Sequence, residues 1–306
     1  MSRRILVTGP NGFIGRHVVS AALAETDSHI RLVRYHSAPD PTDPERVQVV
    51  RADLSDPASV HGLCRNVDAV VHCASRVDGD EQALYQANDL GTSALVTDAQ
   101  RHGVRRFVYV STAAVYGRGP FRQAAAHTLP LRPASATSRS RAAAERHVLA
   151  AGGTVLRPHL VYGAGDRWVI PGLAALVQHL GAPVACSSEH SAVEVGALAK
   201  VALASALSEL DMAGVHHVNH PVPVRSSDLM SLVQEHLEPP AARALTPQEA
   251  LERVAGVPFA RHHLEMLVTD HWFLSDRIWR RLHCDPGPEP AQGLRQFMPW
   301  YRQVLG

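Results

Sequence analysis

The chain has 306 residues, 45% of them hydrophobic and 19% charged, which excludes a disordered tail, a collagen-like repeat and a disulfide-stapled miniprotein. Thirty Lys and Arg against 29 Asp and Glu leave a net charge of +1, too balanced for the phosphate neutralisation on which nucleic-acid binders depend, so no nucleic-acid partner is expected. A chain of this length buries roughly 75% of its extended surface, enough for a core without metals or bridges.

Cys64, Cys73, Cys186 and Cys284 stand far apart without a C-x-x-C pair, so neither a zinc site nor a disulfide framework is expected and a reducing cytoplasm is the default. Met1-Ser2-Arg3-Arg4 runs directly into an apolar strand, and no window approaches the ~20 apolar residues that span a bilayer. A soluble cytoplasmic protein with no membrane partner is the expectation. Lys200 is the single lysine.

In chain order, six β-rich runs alternate with amphipathic helical stretches: Arg4–Val7, Ile30–Val33, Val47–Val50, Ala69–Val71, Phe107–Val110 and Thr154–Leu156. This alternation predicts an α/β fold, a Rossmann-type doubly wound parallel sheet over residues 1–165, with ligand at the strand carboxyl ends. Residues 166–306 read as a smaller, mainly helical substrate lobe with short strands near Val184 and at Val215–Val218, although segments of the two units can interleave. Two stretches break the rhythm, Ser37–Pro44 and Gly117–Ala136. The second is 20 residues long, a length typical of active-site lids, and it leads into a helix expected over 137–150. Proline pairs at Glu238-Pro239-Pro240 and Pro286-Gly287-Pro288 punctuate the lobe.

The first strand is followed by Gly9-Pro10-Asn11-Gly12-Phe13-Ile14-Gly15-Arg16, which opens a helix. Without a Cβ, Gly9 suits a tight turn, Gly12 a close approach of backbone to a pyrophosphate and Gly15 close helix packing. The free N–H groups and positive dipole end of the helix then face the phosphates. At the end of the second strand stands Val33-Arg34-Tyr35-His36. Arginine there, with Arg16 past the third glycine, suits a 2′-phosphate better than a free ribose diol, so NADP(H) is preferred and NAD(H) stays possible.

The G-x-x-G-x-x-G spacing with Phe-Ile before the last glycine resembles the extended short-chain dehydrogenase/reductase family. Further segments agree in order: Ala52-Asp53-Leu54-Ser55-Asp56, His72-Cys73-Ala74-Ser75, Asn88-Asp89-Leu90-Gly91-Thr92, Val110-Ser111-Thr112 through Gly117, Leu156-Arg157-Pro158-His159-Leu160 through Gly163, and Gly293-Leu294-Arg295 with Trp300-Tyr301. The resemblance implies a nicotinamide cofactor held by Gly9, Asn11, Gly12, Phe13, Ile14, Gly15, Arg16 and Arg34. It adds Asp53, Leu54, Cys73, Ala74, Ser75, Ser111, Arg141, Pro158, His159 and Leu160 further along.

It also implies a Ser or Thr that polarises a carbonyl and a Tyr four residues before a Lys. Thr112 falls on the hydroxyl position. In the helix Thr137-Ser138-Arg139-Ser140-Arg141 through Glu145-Arg146, aligning Ser140 and Glu145 puts Thr137 in place of the Tyr and Arg141 in place of the Lys. No Tyr of the chain precedes a Lys by four residues. An aliphatic hydroxyl is too weak an acid for that relay, and arginine stays charged. Thr112, Thr137 and Arg141 are therefore the catalytic candidates, acting as aimed donors rather than as a titrating pair.

His159 and Tyr162 follow the sixth strand and are candidates for a replacement acid. His216, His217 and His220, like His262 and His263, lack a carboxylate or cysteine in ligand spacing, so they read as solvated and no metal is expected. Trp168, Phe259, Met266, Trp272, Phe273, Trp279, Phe297, Met298 and Trp300 read mostly as core, with a remainder lining a cleft for a flat apolar ligand. Lacking the tyrosine, the chain resembles the atypical reductases of this family that act on angucyclinone-like polycyclic aromatic polyketides in antibiotic biosynthesis. The expected partner is thus a small aromatic ketone, with the oligomeric state open.

Overall fold

The computed structural model describes residues 3–35, 43–236 and 243–305. His36, most of the Ser37–Pro44 stretch and Glu238-Pro239-Pro240 lie outside the described residues.

The apolar runs form strands β1 (Arg4–Thr8), β2 (His29–Arg34), β3 (Val47–Arg51), β4 (Ala69–His72) and β5 (Arg106–Val110). They join Thr154–Arg157 and Gly214–His217 in one seven-stranded sheet. Its order is Gly214–His217, Thr154–Arg157, β5, β4, β1, β2, β3, and every neighbouring pair is parallel. From β1 the chain adds β2 and β3 on one side and then returns to add β4 and β5 on the other, so the switch point, where a doubly wound fold opens a crevice at its carboxyl edge, lies between β1 and β4.

Side chains alternate across β1, so Ile5 and Val7 enter one core layer and Leu6 the other, each fully buried. The first layer is covered by helix α1 (Phe13–Glu25) and the helix Val195–Leu207. The second is covered by the helices Gly91–Arg101 and Ala136–Ala150, which supply Leu95, Val96, Ala99, Ala144 and Val148. The lobe has its own core, built from Ile170, Leu173 and Leu176 of one helix and Leu294, Met298 and Tyr301 of the last.

Three expectations change. The 215–218 strand belongs to the edge of the main sheet, paired with Thr154–Arg157, and not to the lobe. Near Val184 there is an isolated bridge to Leu245 instead of a strand. The 117–136 connection is also not a bare loop. Its segment Phe121–Ala124 runs parallel to His271–Phe273 in a four-stranded sheet with Glu189–His190 and Val224–Arg225. Among the described residues no helix is long and apolar enough to cross a membrane.

Candidate active site

The glycine turn has the backbone its sequence demands. Gly9 takes φ +64°, and a Cβ there would lie 2.8 Å from the backbone of Ala74. A Cβ on Gly15 would lie 2.0 Å from the Gly9 carbonyl oxygen, so the third glycine lets the helix start fold back on its own loop rather than on the strand. Asn11 and Gly12 are exposed, and the N-cap of α1 is Gly12, with no side-chain cap on the first N–H groups. These are the open donors that an anion can take. Phe13 and Ile14 are half-buried, Ile14 against the core.

Behind the turn runs a buried relay of polar contacts. Thr8 Oγ1 meets His72 Nδ1 at 2.6 Å, His72 Nε2 meets Thr92 Oγ1 at 2.9 Å, and the Thr92 hydroxyl donates to the Asn88 carbonyl. Asn88 lies in a π-helical turn (Tyr85–Leu90). Its amide donates to Ser140 Oγ at 2.9 Å, and that hydroxyl donates to the Thr137 carbonyl at 2.9 Å. Burial, with the nearby Arg141 charge, holds His72 down at about 3, so the ring is neutral and works through its two nitrogens. Ser75 Oγ lies 3.4 Å from Asn88 Oδ1, and Ala74 N donates to Thr8 Oγ1. Burial pushes the Cys73 thiol up to about 12, leaving it inert.

Other residues assigned to the cofactor are placed less directly. Arg16 is exposed and donates to the Ala164 carbonyl at 2.7 Å, covering Gly165. Arg34 ends β2, half-buried, with its carbonyl bonded to Ala52 N. Asp53 accepts from the N–H and hydroxyl of Ser55, at 2.9 and 2.6 Å, and so serves its own turn, while Leu54 packs on Gly91. Ser111 is turned inward: its hydroxyl donates to Glu145 and its N–H to the Leu156 carbonyl. The Pro158 carbonyl accepts from Ala113 N, and Leu160 N donates to the Ser191 carbonyl.

Arg141 reaches the carboxyl end of β5, where Nη2 donates to the Val110 carbonyl at 2.8 Å, and its Nε is buried without a partner. Thr112 caps a short 3₁₀ turn over Ala113–Tyr116, its Oγ1 accepting from Ala114 N at 3.2 Å. Thr112 also lines a cavity of about 470 Å³, together with Ser135, Ser138, His159, Met266 and His271. Thr137 is not among the lining residues. One residue on, Ser138 occupies that wall, held by Ser135 in a reciprocal cap. Sequence reasoning missed Ser138 because it aligned the helix on Ser140 and Glu145 alone.

The aromatic expectation resolves unevenly. Phe273, Trp279 and Met298 are core, Trp168 and Phe259 are exposed, and Met266 is the one of the nine that lines the cavity. Tyr162 is buried, its phenol pushed well up by burial and Glu194, which removes it as a ready acid. His217 and His220 are buried rather than solvated. His217 Nε2 meets Tyr116 OH at 2.8 Å, and His220 Nδ1 caps Val222 N.

A match to the model of the NAD dependent epimerase/dehydratase family covers residues 5–192, and the chain belongs to that family. It is 28% identical to the 2-alkyl-3-oxoalkanoate reductase of Stenotrophomonas maltophilia, over 96% of this chain and 98% of that one. A 4-hydroxy-2-methyl-3-oxo-4-farnesyl-3,4-dihydroquinoline-1-oxide ketoreductase of Stigmatella aurantiaca matches at 31%, over 56% of this chain and 54% of its own. The UDP-glucuronic acid 4-epimerase of Bacillus cereus, solved in complex with NAD, shares the fold at a TM-score of 0.76, with 18% identity over 99% of this chain and 100% of the other. The chain is an oxidoreductase of this family.

The residues present fit a nicotinamide dinucleotide. The turn closes tightly because Gly9 and Gly15 carry no Cβ, its uncapped N–H groups have the donor chemistry a phosphate accepts, and the orphaned Arg141 Nε has the donor chemistry a ribose hydroxyl accepts. Such a cofactor supplies hydride chemistry. The chain's task is to hold it, orient a carbonyl and aim donors at the developing charge.

Proposed function

We propose that this chain is an NADP(H)-preferring ketoreductase that reduces a ketone on a polycyclic aromatic, angucyclinone-like polyketide in antibiotic biosynthesis, without a Tyr/Lys relay. The observation that carries this reading is the composition of the cavity beside Thr112. Its walls hold hydroxyls at Thr112, Ser135 and Ser138 and apolar surface at Ala113, Leu160 and Met266, while no Tyr or Lys lines it. Such walls suit a flat apolar ketone better than a sugar nucleotide. Thr112 can donate to an alkoxide as it forms, Arg141 supplies a fixed positive charge and a ribose donor, and Thr137 is a further hydroxyl on the same helix. Water or a phenol on the substrate, hydrogen-bonded to its own ketone, delivers the proton.

Arg34 supports NADP(H) over NAD(H) through charge-assisted bonding to a 2′-phosphate. The arginine-for-lysine bias and alanine-rich helices fit a high-GC bacterial source, and the missing relay resembles the ketoreductase that acts on the angucyclinone part of simocyclinone. The test is a screen of polyketide ketones with NADPH and NADH, read by mass spectrometry for a gain of two hydrogens. Reduction of an aromatic ketone with NADPH supports the reading. Tight NADPH binding with no turnover on any ketone supports instead a catalytically silent NADP-binding sensor or partner-binding protein, which the absent relay also favours.

A further inference from the structure

His159, His190 and His271 come from three separate strand ends and meet at one wall of the cavity. Their ring centroids form a near-equilateral triangle with sides of 5.0, 5.9 and 6.1 Å. The rings are nearly parallel, at 15°, 13° and 16° to one another, and because three rings in a row would leave the outer pair about twice as far apart as neighbours, they close a triangle instead of a column. One nitrogen of each lies within 4.8 Å of the other two. A metal held at about 2.0–2.1 Å by one nitrogen per ring places centroids about 5–5.5 Å apart, so the His159–His271 side already fits and the two sides to His190 must shorten by about 0.5 Å.

The hydrogen bonds sort the nitrogens. His271 Nδ1 donates to the Thr269 carbonyl at 2.8 Å, which leaves Nε2 with its lone pair. His190 Nε2 stands 3.2 Å from the Leu267 carbonyl and 3.2 Å from Ser188 Oγ, and its Nδ1 is buried without a partner. His159 Nε2 is likewise buried and unpartnered, while its backbone N–H is fixed by Asn219 Oδ1 at 2.8 Å. Carbonyl acceptors behind ligating imidazoles are the usual means of setting their tautomer and orientation. Two orphaned nitrogens in a buried cluster are otherwise an uncompensated cost.

We propose that His159, His190 and His271 form a three-imidazole site for a divalent transition metal, Zn²⁺ by ligand type. His159 and His271 line the cavity and His190 lies behind them, 1% exposed. The fourth position is therefore taken from the cavity side, by water or by the carbonyl oxygen of a bound ketone. An open fourth position beside three protein ligands is the arrangement of catalytic rather than structural zinc. The metal site stands apart from the reductase reading, and only its use on a ketone rests on that reading.

The full chain, stripped with chelator, is titrated with Zn²⁺ in a calorimeter and with Co²⁺ by visible absorption, with NADPH binding and circular dichroism recorded alongside. One tight equivalent and the intense bands of four-coordinate Co²⁺ are expected. His190→Ala and His271→Gln should each weaken binding at least ~100-fold, while His262→Ala on the same cavity leaves it unchanged. Should His190→Ala fail to fold, His271→Gln and the Co²⁺ spectrum decide. Folded wild-type protein without stoichiometric Zn²⁺ binding, or folded His271→Gln that keeps it, overturns the site. Zn²⁺ bound without NADPH upholds the site and ends the reductase reading.

Discussion

Glu145 and Arg157 form a two-point ion pair inside the molecule, their side chains 1% and 4% exposed, and the pair also accepts from Ser111 and donates to Tyr116. Glu145 comes from the helix that carries Thr137 and Arg141, and Arg157 from the strand that leads to His159. The pair therefore ties the two sides of the site together. Removing one partner leaves the other charged and dry. Glu145→Ala is expected to cost about 3–5 kcal/mol in urea unfolding, whereas Glu145→Leu with Arg157→Met costs less than either single change.

Gly15→Ala places a methyl against the Gly9 carbonyl, at 2.0 Å before relaxation. The turn must open, and the donors at the start of α1 lose their common aim. NADPH affinity, followed by fluorescence titration, should fall at least ~10-fold with the far-ultraviolet spectrum unchanged. An unaltered Kd would mean that phosphate binds elsewhere.

Arg34 ends β2 at the edge of the crevice. In Arg34→Ala the ratio of NADPH to NADH affinity is expected to fall about 10-fold, about 1.4 kcal/mol, because a charge-assisted bond to the 2′-phosphate is lost. Equal weakening toward both nucleotides would exclude Arg34 as the discriminating residue.

Thr112→Ala removes one aimed hydroxyl. Turnover on a reducible ketone should drop about 10²–10³-fold with little change in KM, and Thr112→Ser should recover most of it. If Thr112→Ala and Thr137→Ala both keep full turnover, neither hydroxyl takes part in proton delivery or polarisation.

His72 is held at about 3 and His217 at about 4, both chiefly by burial, then by Arg141 and Arg157 respectively. Unfolding releases both rings toward the ordinary value of 6.5. Between those limits the unfolded chain binds more protons than the folded one, so stability is complete above about pH 6.5 and falls as the pH drops toward 4. Urea midpoints at pH 7.5 and 5.0 test this, with the lower midpoint expected at pH 5.0.

The sheet was legible because β1, β4 and β5 are buried on both faces and read as short apolar runs, and the Ile30–Val33 run of β2 is apolar but for Arg31 at its middle. The edge strand Gly214–His217 follows lobe segments in the chain and carries two histidines, so its own sequence does not mark it as part of the main sheet. Phe121–Ala124 has no strand pattern of its own, and its extended form is imposed by pairing with His271–Phe273. The glycine turn could be read because each glycine answers a local steric demand. The histidine triangle could not, since its members are far apart in sequence: the small sheet pairs His190 with His271, and His159 comes to them from the end of the main-sheet strand Thr154–Arg157.

That pairing of Phe121–Ala124 with His271–Phe273 also bears on traffic through the cleft. Gly117, Arg118 and Gly119 lie just before the paired segment and Thr269 just before its partner, and all four line the cavity. The roof is stitched to the far wall by main-chain bonds, including Phe121 N to the Asp270 carbonyl at 2.7 Å and Leu274 N to the Ala124 carbonyl at 2.9 Å. Moving this roof therefore means carrying Thr269–Leu274 along with it or breaking those main-chain bonds.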